Sequence, residues 1–186
     1  MEMEVTQMKN NFTESVIGEY TKNLFITVKE YQTDPIATIE SIDDAPGVYL
    51  VVSSFENPRG KFLGEGTGGW FKGKNPNVPI EVLEEKWTNC AEILYIGRAG
   101  GISINGRESK ATLKKRIRAL LLFGNQKPVG HWGGRYLWQH PDSDNFRIYW
   151  SSKDINGKNP VELEKELIGI FKENYNGKRP FANLRL

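Results

Sequence analysis

Cysteine is nearly absent: Cys90 is the only one in 186 residues. That excludes an internal disulfide and any thiolate-built zinc site, and it suits a reducing cytoplasm. Lone and without a catalytic partner, Cys90 reads as an inert core thiol. Histidine is also scarce. His131 and His140 are the only two, too few for a histidine-built metal centre. No window of about 18 apolar residues exists, so no membrane-spanning helix is expected. The opening Met1-Glu2-Met3-Glu4 is acidic and lacks an apolar core, so it does not read as a signal peptide. Acidic residues are missing from one long stretch. Between Arg98 and Arg135 there are nine Lys or Arg, and the only acid is Glu108. Net charge over the whole chain is only +2, so this excess is local. Such a patch attracts phosphate backbones. A solvated basic helix, balanced by acids elsewhere in the fold, accounts for it equally well.

What remains is lean but globular. The hydrophobic fraction is 38% and aromatics are 11%, and the length suits one domain with an N-terminal extension over residues 1–40. Residues 1–12 are polar and expected to fray. Residues 13–32 are ambiguous: Ile17, Tyr20, Leu24, Val28 and Tyr31 fit a helical face, while 24–28 fits a strand. Strands are expected at 47–53, 93–97 and 146–152. Asn57-Pro58-Arg59-Gly60, the glycine cluster 64–69, Pro76 and Pro79 break the pattern. Residues 54–91 therefore read as an insertion, carrying one short helix near 80–87. Residues 100–106 read as a loop and 111–123 as a helix closed by Gly124 and Asn125. Asn156-Gly157 signals a turn, and Pro160 opens a helix to about Tyr175. The expected fold is α+β, with a small central three-stranded antiparallel sheet flanked by helices.

The last helix holds the sharpest single residue. Val161, Leu167, Ile168, Phe171 and Tyr175 share a face, and the i, i+3, i+4, i+7 spacing places Glu164 at its centre. An ionised carboxylate facing a core needs a partner. An ion pair with a buried arginine supplies one reading, and a bound cation supplies another. The helix at 111–123 has Arg116 at the edge of its apolar stripe, within reach of a neighbouring cleft. Gly64-Glu65-Gly66-Thr67-Gly68-Gly69 fits a dinucleotide fingerprint formally, but no helix follows it, so that reading is set aside. His131-Trp132-Gly133-Gly134-Arg135 mixes basic and aromatic residues beside flexible glycines. It reads either as a packed turn or as a surface on which bases stack.

Six segments, in order, resemble the GIY-YIG endonuclease family. They are Gly47-Val48-Tyr49, Tyr95-Ile96-Gly97, Arg98-Ala99, Leu113 to Ile117 around Arg116, Leu163 to Ile168 around Glu164, and Pro180 to Asn183. The resemblance implies metal-dependent hydrolysis of phosphodiesters in DNA, with RNA as the alternative substrate, by a one-metal route. Glu164 would hold Mg²⁺ or Mn²⁺, and Arg116 would stabilise the phosphate in the transition state. Tyr49 would deprotonate or orient the attacking water, Tyr95 would position water or phosphate, and Asn183 would orient the site. Arg98 would clamp a phosphate, with Lys115, His131 and Arg135 as further substrate contacts. The chain departs from the family pattern in the long insertion between the tyrosine motifs and in the extended loop before Arg116. It also has Leu120 where some members carry a histidine. A nucleic-acid-binding module on the same scaffold, its catalysis lapsed, is the alternative. Oligomeric state is not legible.

Overall fold

The computed structural model describes residues 11–53, 60–152 and 157–184. The expected fraying of residues 1–10 and the turn residues Asn57, Pro58, Arg59 and Asn156 lie outside them. The fold is α+β, built on an antiparallel sheet of four strands in the order β1-β6-β2-β3. The strands are β1 (Phe25–Thr27), β2 (Gly47–Val52), β3 (Ile93–Ala99) and β6 (Arg147–Ser152). Three were expected. The fourth, β1, is short and comes from the ambiguous N-terminal region, pairing with β6 from Phe25↔Tyr149 to Thr27↔Arg147. The extension thus contributes a strand as well as packing on the core. A second, two-stranded ribbon joins β4 (Gly101–Ile102) to β5 (Glu108–Ser109), where a loop was expected.

Among the described residues the α-helices are α1 (Glu14–Tyr20), α2 (Val28–Thr33), α3 (Pro35–Glu40), α4 (Ile80–Lys86), α5 (Leu113–Gly124) and α6 (Pro160–Asn174). Side chains of a strand alternate between faces, and here both faces are covered. Val48, Leu50 and Val52 meet α1 and α6 through Ile17, Leu167 and Phe171. Tyr49 and Val51 meet α5, α2 and the 3-10 helix Trp132–Gln139. A strand buried on both faces reads as a continuous apolar run, which is the composition of Gly47–Val52.

Local chemistry sets the element ends. Thr112 caps α5 by accepting from the Lys115 N–H, and Thr27 with Glu30 forms a reciprocal cap on α2. Glu14 ties the extension to the sheet. It pairs with Arg147 and accepts from Tyr149 Oη at 2.8 Å. Phe12 is buried edge-on against Phe171, so fraying does not extend to it. The described part of the insertion belongs to the same core. Phe62 stacks on Phe181, and the Gln139 amide bonds to the backbone of Leu63 and Val78. Cys90 is exposed, not a core thiol, and holds a left-handed φ of 62° after α4. Among the described residues no helix is long and apolar enough to cross a membrane.

Candidate active site

Strand β3 is the outer strand of the sheet, and its two ends are treated differently. At Leu94 and Ile96 the C-terminal segment closes the margin. Ala182 N–H donates to Leu94 O, and the Asn183 amide both accepts from Ile96 N–H at 2.9 Å and donates to Ile96 O at 2.7 Å. Beyond Ile96 the margin opens into a cleft of about 460 Å³. Side chains from both sheet faces converge there. Tyr95 comes from β3, Arg116 from α5, and Glu164 with Lys165 from α6, while Arg98 leans in from the strand itself.

The two tyrosine motifs owe their glycines to packing. Tyr49 pairs across the strands with Gly97, so Tyr49 and Tyr95 lie diagonally on one face. A Cβ on Gly97 would stand 2.6 Å from Tyr49 Cζ and 2.7 Å from Tyr95 Cε1. Only glycine leaves room for both rings, whose centroids are 5.8 Å apart. Gly47 does the same for α5. A Cβ there would meet Ser151 O at 2.3 Å and Leu113 Cδ1 at 2.8 Å, so its absence lets the helix carrying Arg116 settle onto the sheet.

The phenols differ in access. Tyr95 lines the cleft, whereas Tyr49 is fully buried one layer further in. The Tyr49 hydroxyl lies 3.0 Å from His131 Nε2. Burial raises the pKa of both phenols, and the adjacent Tyr95 adds to the effect at Tyr49. The Arg116 charge opposes it without reversing it. Tyr49 is therefore a neutral hydroxyl out of reach of bulk water, and the expectation that it deprotonates a water fails on burial. His131 is likewise buried, with a pKa of about 4 set first by desolvation and then by Arg116. It braces the phenol pair and is not an open substrate contact.

Glu164 lies on the buried side of α6 but off its centre, and its side chain is 26% exposed. Leu163 and Ile170 are buried as well as Val161 and Ile168, which widens the core stripe and moves its centre away from Glu164. Its carboxylate pairs with Arg98 Nε at 2.9 Å, the two side chains being 26% and 35% exposed. The arginine is about a third exposed, so this is a pair at a cleft mouth and not in a core. Arg98 Nη1 also donates to Gly100 O at 3.1 Å. Burial raises the Glu164 pKa, while Arg98, Arg116 and Lys165 pull it down. The second oxygen, Oε1, has no hydrogen-bond partner among the described residues. Three cations face one carboxylate, so the cleft favours an anion of charge beyond that of Glu164.

Other expected contacts lie apart from this cleft. Lys115 is exposed on α5 and does not line it. The Arg135 guanidinium lies 5.5 Å from the Tyr136 ring, also away from it. Asn183 spends its amide on Ile96 and acts on the strand, not in the cleft. The glycine cluster makes no phosphate cradle: Gly66 N–H donates to Asn77 Oδ1 and Gly69 N–H to Phe123 O. Lys165, Gly100 and Ser109 line the cleft and were missed. The i+1 place of Lys165 beside Glu164 was the available signal. Compared with known proteins, the chain matches no family model, no curated protein and no solved structure.

Proposed function

We propose that this chain is a GIY-YIG-type endonuclease domain that hydrolyses phosphodiester bonds in DNA with one divalent cation. One observation carries the reading: Tyr95, Arg98, Arg116 and Glu164, drawn from three elements, line a single cleft. Among the described residues no group of three or more His, Cys, Asp or Glu gathers to cage a metal. Mg²⁺ keeps several waters and is satisfied by one or two carboxylates plus phosphate oxygens, so Glu164 Oε1 at the cleft mouth fits it. When bound there, Mg²⁺ or Mn²⁺ supplies Lewis-acid stabilisation and acidifies a coordinated water.

The chain's own residues do the rest. Arg116 faces the phosphate and stabilises the charge that builds on its oxygens. Arg98 can turn from Glu164 to a phosphate oxygen as substrate enters. The Tyr95 hydroxyl orients water, because its raised pKa keeps it protonated at neutral pH. Tyr49 and His131 hold Tyr95 in place, and Asn183 fixes the strand that carries it. The exposed thiol of Cys90 suits a reducing cytoplasm.

The test is nicking of supercoiled plasmid with Mg²⁺ or Mn²⁺ and with chelator. Nicking should require the cation, and Glu164→Gln should reduce it by at least about a hundredfold. Metal-dependent cleavage undiminished in Glu164→Gln would overturn the mechanism. The Arg98–Glu164 pair occupies one carboxylate oxygen and favours a second reading, a binding module without catalysis. Salt-sensitive DNA binding with no cleavage under any divalent cation would select it.

A further inference from the structure

The ribbon β4–β5 rises from the rim of the cleft, for Gly100 before it and Ser109 and Ala111 at its other foot all line that cleft. It is a held structure. Gly101 pairs with Ser109 and Ile102 with Glu108. Ser103 N–H donates to Arg107 O, and Gly106 N–H closes the turn onto Ser103 O. The Asn159 amide, at the cap of α6, accepts from Ile102 N–H at 3.1 Å and donates to Ile102 O at 2.9 Å. The ribbon is therefore fixed to the helix that carries Glu164.

Its tip is apolar. Ile104 stands at a central position of the Ser103–Gly106 turn with 87% of its surface exposed, and Ile102 is 49% exposed. Turn positions ordinarily take Gly, Asn, Asp, Ser or Pro, each for a local backbone reason. A β-branched residue there gains nothing from the turn. Scattered single apolar residues on a surface need no explanation. Two on one braced ribbon, two residues apart, with Arg107 and Lys110 exposed beside them and a cationic cleft at their feet, form an arrangement with a purpose.

We propose that this ribbon is a wedge for duplex DNA, with Ile104 entering between base pairs while Arg107 and Lys110 hold the flanking phosphates. Apolar side chains inserted at a base step unstack it and bend the helix. With the ribbon fixed to α6, insertion sets the distance between the unstacked step and the phosphate at Glu164. The proposal rests on the nucleic-acid reading of the cleft and names the substrate as duplex.

The experiment is metal-free, so that no strand is cut. The full chain is titrated into a short duplex carrying a single 2-aminopurine, moved step by step along one strand, with affinity followed by anisotropy at several salt concentrations. Wild type should raise the fluorescence about twofold or more at one position, as unstacking does. Ile104→Leu should keep that rise. Ile104→Asp should lose it yet retain salt-dependent binding, and the exposed position leaves folding intact, as circular dichroism checks. Salt-dependent duplex binding with no fluorescence rise anywhere, or a rise unchanged in Ile104→Asp, overturns the wedge and leaves the nuclease reading standing. Absence of salt-dependent duplex binding overturns both.

Discussion

Lowering the pH from 7 to 4.5 should remove on the order of 5 kcal/mol of folding stability through two histidines alone. His131 and His140 are both buried, and desolvation holds each imidazole at about 4 instead of 6.5. In His140 the Nδ1 atom accepts from the Asp142 N–H at 3.1 Å, so protonation there sets two donors against each other. The nearby Asp142 charge softens the shift without cancelling it. At His131 the Arg116 charge adds to desolvation. A histidine with a depressed native pKa binds fewer protons folded than unfolded. Stability therefore falls as pH drops from about 6.5 towards 4 and levels off below that. At pH 4.5 each histidine contributes a loss of about 2.5 kcal/mol relative to pH 7. Typical domains have only about 5–15 kcal/mol in total, so this loss should bring the chain close to unfolding. Urea denaturation at half-unit pH steps reads it directly. His131→Gln and His140→Asn keep one polar atom near the original position and remove the titration. Each should flatten the pH dependence by about half. A stability that stays level between pH 6.5 and 4.5, or a slope untouched in both variants, would refute the reasoning.

Two further substitutions probe the scaffold. Gly97→Ala pushes a methyl between the Tyr49 and Tyr95 rings. It should cost about 1–3 kcal/mol by overpacking, read as a lower urea midpoint with unchanged slope. A neutral result would mean the rings part freely. Asn183→Ala strips both partners from the Ile96 backbone. It should cost about 1–3 kcal/mol and speed hydrogen exchange at the Ile96 amide, and an unchanged exchange rate there would count against the clamp.

Much of the fold was legible because its main elements are long and periodic. Strands β2, β3 and β6 begin as apolar runs, α5 shows an apolar stripe closed by Gly124 and Asn125, and α6 opens on Pro160. Strand β1 was legible only as one of two readings of residues 24–28, beside a helical face. Three residues are too few to show a period, and its pairing with β6 is decided by a partner more than a hundred positions away. Glu164 drew attention through its helical spacing, which places it on the buried side of α6; Leu163 and Ile170, not counted there, move the centre of that face away from it. The Arg98–Glu164 pair joins a strand to a helix across 66 positions, and the His131–Tyr49 contact spans 82. Such meetings depend on how layers stack, which spacing along the chain does not encode. Tyr49 was placed on the right strand, but its burial follows from α5 and the 3-10 helix closing over it.

The stitch made by Ala182 and Asn183 also bears on how copies of this molecule behave together. A naked strand margin invites neighbours to add their own strands and grow into aggregates. Here one margin is β1, only three residues long, and the other is fastened at Leu94 and Ile96. Undoing that fastening would offer a ready template to the next molecule, so the Ala182 N–H and the Asn183 amide together guard this margin.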